Sequence, residues 1–459
     1  MYDLVIKDGT LVSHAAVWQA DVGIAEGKIA EISTGLQGRE CISAKDLLVL
    51  PGAVDPHVHL EMSTPVTKTS DNWASGTRAA AFGGTTTLVD FVEPRNGQQP
   101  LLEAFAERLA VAQGASSVDF AFHMTLSDAH EAILGQVPRV VAAGMPSFKL
   151  YTTYEGFRLN DEELLAAFEA IRSARGLAMV HAESDAIIQS ATKKLQSAGH
   201  LGLRDFPESR PAIAEKEAID RVLSLAAFVD CPVYFAHVST EAGASAVARA
   251  RKEGQPVWAE TCPHYLLLDE SYIRTTDFNG AKFVCCPPLR TFADQQALWD
   301  ALASGEIRSL GTDHCAFNFR GQKELGRESF LDTPAGLPGV ELRLALLYTF
   351  GVKAGRISLN QWVDLCSTTP ARLFGLYPTK GDLAPGADAD IVLFDPNRPT
   401  SVSHSELHEE VDYTPYEGFS LAGVVHTTLL RGKPLVRAGQ WVGNPPEGRF
   451  VPCSSFHLG

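Results

Sequence analysis

Eight short apolar runs, separated by longer stretches of helical spacing, constrain this chain more than any other feature. They are Leu48-Val49-Leu50, Thr86-Thr87-Leu88-Val89-Asp90-Phe91, Asp119-Phe120-Ala121-Phe122, Ser147-Phe148-Lys149-Leu150-Tyr151, Ala178-Met179-Val180-His181, Val233-Tyr234-Phe235-Ala236-His237, Val257-Trp258-Ala259-Glu260 and Ile307-Arg308-Ser309-Leu310. Runs this short and this apolar fit strands buried on both faces, as in a parallel sheet covered by helices. In the stretch Asp161 to Arg175, Leu164, Leu165, Phe168 and Ile171 recur at helical spacing, with Asn160 or Asp161 as a natural N-cap. Eight strands joined by helices predict an α/β fold, a (β/α)8 TIM-like barrel with its chemistry at the C-terminal ends of the strands. A doubly wound open sheet gives a similar alternation; the count of eight favours the barrel.

The two ends of the chain follow a different period. Residues 1–50 alternate apolar and polar between Gly and Asp turns, and so do residues 380–440, as in Ala389-Asp390-Ile391-Val392-Leu393-Phe394 and Leu429-Leu430-Arg431-Gly432-Lys433-Pro434-Leu435-Val436. This predicts one small β-sandwich domain of antiparallel strands drawn from both termini, beside a barrel over 51–379. Residues 441–459, with Pro445, Pro446 and Pro452, read as an extended C-terminal tail. Length alone, at about one domain per ~150 residues, would allow three units, but barrels routinely exceed that size.

Hydrophobic residues make up 45% and charged residues 20% of the chain, which excludes wholesale disorder and leaves ample material for a core. The net charge of −16 comes without a basic run, so the chain carries no electrostatic footprint for nucleic acid or anionic lipid. Neither a signal peptide nor the ~20-residue apolar stretch of a membrane helix is recognisable. The eight cysteines (Cys41, Cys231, Cys262, Cys285, Cys286, Cys315, Cys366, Cys453) form no CxxC pair and fit a reducing cytoplasm.

The strongest chemical signal is Asp55-Pro56-His57-Val58-His59, after the first barrel strand. Residues two apart in extended chain point the same way, so His57 and His59 can reach one metal ion. His181 ends the fifth run, His237 ends the sixth, and Asp313 follows the eighth in Gly311-Thr312-Asp313-His314. Four histidines and an aspartate at the same end of separate strands converge on one mouth of a barrel. Lys149 stands inside an otherwise apolar strand, where an ammonium is costly unless paired or neutralised. Either it meets a carboxylate, or its amine has captured carbon dioxide to give an anionic carbamate able to bridge two cations.

With these residues in place, the chain resembles the D-hydantoinase and dihydropyrimidinase family of cyclic amidohydrolases, near the bacterial phenylhydantoinases. The resemblance runs over nearly the whole chain, through Pro51-Gly52-Ala53-Val54-Asp55-Pro56-His57-Val58-His59, Gly83-Gly84-Thr85-Thr86-Thr87, Ser147-Phe148-Lys149-Leu150-Tyr151 and Val180-His181-Ala182-Glu183. It continues through Ala236-His237-Val238-Ser239, Pro287-Pro288-Leu289-Arg290, Gly311-Thr312-Asp313-His314-Cys315 and Asp412-Tyr413-Thr414-Pro415-Tyr416-Glu417-Gly418. It implies two divalent metal ions, usually Zn2+: His57, His59 and Asp313 on the first, His181 and His237 on the second, and carboxylated Lys149 bridging them. A hydroxide bridging the metals would attack the ring carbonyl of a hydantoin or dihydropyrimidine and release an N-carbamoyl amino acid, because bound metal lowers the pKa of water to ~7. Asp313 would also act as general base and acid, and Tyr154 would stabilise the oxyanion. A cytoplasmic homotetramer acting on a small cyclic amide is the implied context.

Some positions depart from the family. Cys286 stands where a serine is common, and Ala335 where an asparagine is common, both at the substrate ring. In the pocket for the exocyclic substituent, usually bulky and apolar, the matching residues are Thr64, Tyr151 and Arg158. If Arg158 faces that pocket, acidic or polar substituents would be accepted. Dihydroorotases place an arginine two residues after the second histidine; here that residue is Glu61. Allantoinase remains an enzymatic rival, and a non-catalytic dihydropyrimidinase-like scaffold is the rival of another class, though no family ligand is missing. No GxSxG, GxxxxGK[ST] or strand-linked GxGxxG motif is present, and Cys286 and Cys315 have no evident activating base, which leaves them as packing or lining residues.

Overall fold

The computed structural model describes residues 1–95 and 98–456. Eight parallel strands make the barrel: β1 (Ala53–Asp55), β2 (Thr85–Val92), β3 (Asp119–Thr125), β4 (Ser147–Tyr151), β5 (Leu177–His181), β6 (Val233–Phe235), β7 (Val257–Thr261) and β8 (Ser309–Leu310). Each pairs with the next in chain order. The ring is nearly closed past the ends of β1 and β8, where Val58 bridges His314 and the His59 N–H donates to the His314 carbonyl at 2.8 Å. Among the strand residues all but Trp258 are buried. This is why the runs read as continuously apolar, since helices cover one face and packed side chains fill the other.

The helix Asp161–Ser173 illustrates how the covering layer is specified. Asn160 caps it, its side chain accepting from the Glu162 and Glu163 N–H groups while Glu163 reaches back, and Leu164, Ala167, Phe168 and Ile171 face the core. Leu165, which the periodicity also favoured, is only partly buried.

The ends of the chain form a second, mostly antiparallel sheet of nine strands. Its order runs Gln440–Trp441, Lys433–Arg437, Val424–Leu430, Ile391–Asp395, Leu48–Pro51, Tyr2–Val12, Val17–Ala25, Lys28–Ser33, with Gly38–Ser43 alongside Tyr2–Val12. Two points differ from the sequence reading. The run Leu48-Val49-Leu50 is not the first barrel strand but a central strand of this sheet, antiparallel to Ile391–Asp395. Buried on both sides, it reads like a barrel strand because periodicity reports burial and not sheet membership. Tyr2–Val12 also pairs in parallel with Gly38–Ser43 and Leu48–Pro51, so the sheet is not wholly antiparallel.

The chain passes from this sheet into β1 through Gly52, where a Cβ would lie 2.1 Å from Thr86 Oγ1; only glycine fits that approach. Lys380 Nζ donates to Asp119 at 2.6 Å, at the start of β3, and to Asp390 at 2.7 Å, tying barrel and sheet together. Residues 443–456 run across the N-terminal end of the barrel: Val451 N–H donates to Phe120 O at 2.8 Å, and Phe456 N–H to Arg175 O at 2.9 Å. The extended tail therefore packs on the face opposite the strand ends that carry the histidines. The last three residues expected in it, 457–459, lie outside the described residues.

Candidate metal centre and active site

The C-terminal ends of five barrel strands deliver the polar residues. His57 and His59 follow β1, Lys149 lies in β4, His181 ends β5, His237 follows β6 by two residues, and Asp313 follows β8 by three. Asp313 and His237 take left-handed backbone conformations, with φ of 49° and 37°. Non-glycine residues there are strained, and such strain persists where the surrounding structure fixes a side chain's direction.

The donor atoms fall into two groups. Asp313 Oδ1 lies 3.2 Å from both His57 Nε2 and His59 Nε2, and the two imidazole nitrogens are 3.2 Å apart. His181 Nδ1 and His237 Nε2 are 2.9 Å apart. One ligand atom from each of His57, His237 and Asp313 lies within 4.8 Å of the others, so the groups adjoin. Zn–N and Zn–O bonds of 2.0–2.2 Å at tetrahedral angles set ligand atoms about 3.3–3.5 Å apart. The first group, at 3.2 Å, comes within about 0.1 Å of that spacing, and the donor set suits divalent metal.

The remaining imidazole nitrogens of His57 and His181 are held from behind. His57 Nδ1 contacts Glu260, whose other oxygen accepts from Tyr234 Oη at 2.7 Å. His181 Nε2 lies 2.7 Å from Glu183 Oε2, and Arg210 Nε donates to Glu183 at 3.1 Å. Arg290, in the Pro-Pro-Leu-Arg motif, donates to the Arg210 carbonyl at 2.6 Å. The carboxylates behind His57 and His181 fix tautomer and ring orientation there. Burial, reinforced by neighbouring cationic groups, pulls His57 and His237 well below the ordinary imidazole range, and burial lowers His181 as well. The neutral, ligating form is favoured at each. Burial opposes the Glu183 charge, but the Arg210 guanidinium and His181 hold its carboxyl below the usual range.

Lys149 is buried with Nζ 5.0 Å from the Phe91 ring centre and 5.3 Å from Tyr151. No carboxylate lies within ion-pair distance of it among the described residues, although the Asp313 and Glu260 carboxylates act on it from further away. Burial lowers its ammonium pKa, so the neutral amine that could react with carbon dioxide is more accessible than in a surface lysine. Tyr154, with φ of 76°, sets its hydroxyl 3.3 Å from Arg210 Nη2 and its ring 5.0 Å from that of His181. Burial raises its pKa well above the usual value, keeping the hydroxyl a donor.

A cavity of about 420 Å³ opens over this centre. Thr64, Tyr151, Tyr154, Cys286 and Ala335 line it beside His57, His59, Lys149, His181, His237 and Asp313. Cys315 lines it as well, and burial raises both thiols, Cys286 and Cys315, above their ordinary pKa, away from the reactive thiolate. Arg158 does not line it: its exposed guanidinium pairs with Asp185. Position in sequence put Arg158 near the pocket, but the carboxylate of Asp185, in the first turn of the helix Asp185–Ser197, competes for it on the outer surface, and the expectation of acidic substituents loses its carrier.

Sequence reasoning missed the carboxylates behind the ligands, the pocket residues Met62, Glu93 and Phe157, and Lys323. The Lys323 ammonium is fully buried and donates to Val284 O (2.9 Å), Pro334 O (2.7 Å) and Gly336 O (2.8 Å), clamping the two segments that present Cys286 and Ala335. For Glu260, a charge ending an apolar strand was the available signal, the same one that singled out Lys149. Lys323 lies in polar loop sequence and gives none.

The chain matches the model of the amidohydrolase family over residues 48–435. It is 42% identical to a D-hydantoinase of Geobacillus stearothermophilus over 98% of this chain and 97% of that one. A D-phenylhydantoinase of Escherichia coli is 39% identical over 99% and 98% of the two chains. The solved structure of a dihydropyrimidinase from Brevibacillus agri superposes with a TM-score of 0.97 at 41% identity, covering 99% of each chain.

Proposed function

The chain belongs to the amidohydrolase family, as a cyclic amidohydrolase of the hydantoinase and dihydropyrimidinase type, and from that premise we propose that it opens the ring of hydantoins or dihydropyrimidines to N-carbamoyl amino acids at a two-metal centre. The observation that carries this reading is the convergence of His57, His59 and Asp313 at mutual distances of 3.2 Å beside the His181–His237 pair at 2.9 Å. His57, His59 and Asp313 would hold one divalent cation, His181 and His237 the other, with Lys149, carboxylated, between them. Zn2+ suits the nitrogen-rich donor set. Metals bound there supply Lewis acidity and bring the pKa of water from 15.7 to ~7.

The chain's own groups do the rest. Asp313 takes the proton of the attacking water on its carboxylate and returns it to the ring nitrogen as the C–N bond breaks. Tyr154, kept protonated by burial, donates its hydroxyl to the oxygen that gains charge in the tetrahedral intermediate. Arg210 lies 5.1 Å over the Tyr154 ring and orients it while also holding Glu183. Cys286, Ala335 and Gly336 present backbone to the substrate ring; at Gly336 a Cβ would meet the Cys315 carbonyl at 2.4 Å, so only glycine permits that wall.

Following ring opening of hydantoin, dihydrouracil, 5-phenylhydantoin and allantoin by the zinc- and bicarbonate-grown protein tests this reading. Opening of hydantoin or dihydrouracil supports it. Opening of allantoin alone transfers the mechanism to an allantoinase, and no opening of any of them overturns it.

A further inference from the structure

Two cavities meet at Glu93. The inner one, of about 420 Å³, holds the candidate metal centre; the outer one, of about 600 Å³, extends past Glu61, Asp90, Arg95 and Arg108. They share His59, Met62, Ser63, Glu93 and Phe157. A substituent on the substrate ring too long for the inner cavity has the shared wall as its way out.

Along that path the cations are already engaged or distant, and one carboxylate is left without a direct partner. In the outer cavity Glu61 pairs with Lys68 at 3.0 Å, Asp90 with Arg108 at 2.5 Å, and Arg95 with Glu107 at 2.9 Å. Glu93, just past the end of β2 and only partly exposed, forms neither ion pair nor hydrogen bond among the described residues; Arg108, itself paired with Asp90, and Lys149 act on it only from beyond ion-pair distance. Glu155 adds a second carboxylate to the rim of the inner cavity. Arg158, the cation that could have balanced them, is committed to Asp185. A carboxylate withdrawn from water without a partner is destabilising, and an arriving cation relieves it. Met62 and Phe157, on the same shared wall, offer apolar contact to an alkyl stem, the combination that suits an aliphatic chain ending in a charge.

We propose that Glu93 sets the charge preference of the exocyclic subsite, so that the enzyme selects ring substituents consisting of an alkyl stem and a terminal cation, such as aminoalkyl or guanidinoalkyl groups. This rests on the ring-opening reading above and specifies its substrate class. It reverses the preference expected from Arg158.

The test compares three 5-substituted hydantoins of matched length, 5-(aminobutyl)-, 5-pentyl- and 5-(carboxypropyl)hydantoin, with unsubstituted hydantoin as the control for ring opening. In the wild type kcat/KM for the aminobutyl compound should exceed that for the pentyl compound by about tenfold or more, which corresponds to about 1.4 kcal/mol. The carboxypropyl compound should be the poorest of the three. Glu93→Gln should bring the aminobutyl-to-pentyl ratio to within about threefold, and Glu155→Gln should move it less. Hydantoin opened with a wild-type ratio near one or below overturns the charge preference alone, as does a ratio unchanged in Glu93→Gln. A wild-type ratio near one overturns the proposal even if Glu93→Gln does not fold, and Glu93→Asp, which keeps the charge, should retain the aminobutyl preference. If hydantoin itself is not opened, the ring-opening reading falls and takes this inference with it.

Discussion

Replacing Lys323 by Met tests whether a buried ammonium holds the substrate wall in place. Its Nζ donates to three carbonyls, of Val284, Pro334 and Gly336. Val284 O keeps a second donor, the Gly336 N–H at 2.9 Å, so the substitution strips the donor from two carbonyls. At ~1–3 kcal/mol for each buried acceptor left unsatisfied, the loss is about 2–6 kcal/mol. Burying a thioether in place of an ammonium offsets part of it, which leaves about 2–4 kcal/mol. Over 459 residues, at ~2.1 cal/mol/K each, that lowers Tm by about 2–4 °C. Because Cys286 and Ala335 lie on the freed segments, KM for the cyclic amide should rise by about tenfold, with a smaller change in kcat.

The same group leaves a mark on pH dependence. Burial lowers the Lys323 pKa from 10.5 to about 8, so between those values the unfolded chain binds more protons than the folded one. Stability contributed by this group therefore rises with pH across that window. The wild-type-minus-variant difference in unfolding free energy should rise from pH 8 to pH 10. A destabilisation under ~1 kcal/mol together with an unchanged KM would refute the clamp.

Three further outcomes are expected. Tyr154→Phe should fold normally and lose about 10²–10³ in kcat, the usual effect of removing one oxyanion donor, as read by steady-state kinetics. Glu260→Gln should weaken metal binding by about 10–100-fold in a chelator competition, because His57 loses the carboxylate that fixes its ring. Arg158→Ala should change kcat/KM for hydantoin and 5-phenylhydantoin by less than about twofold, since an exposed ion pair contributes ~0–1 kcal/mol and faces away from the cavity.

Residues whose role is set by strand position were legible in the sequence, and residues whose role is set by long-range contact were not. His57, His59, His181, His237 and Asp313 each sit at or just beyond the end of an apolar run, so the barrel topology alone brings them together. Lys149 stood out because a charge interrupts an apolar strand. Leu48-Val49-Leu50 misled because burial on both faces looks the same in a barrel and in the centre of another sheet. Arg210 acts on Glu183 from 27 residues away and Lys323 on loop carbonyls up to 39 residues away, and no local period marks them; Glu183, although only two residues from His181, sits past the strand end, where periodicity assigns no role. Arg158 was assigned by sequence position in a loop, where a single competing carboxylate, Asp185, decides which way a long side chain turns.

The most direct test of the account is metal content measured together with turnover on one preparation grown with zinc and bicarbonate. The account predicts about two metals per chain, a Lys149 heavier by one carbon dioxide, and ring opening of hydantoin or dihydrouracil that is lost on chelation and restored by divalent metal. A chain without metal, with Lys149 unmodified and no ring opening, would contradict it.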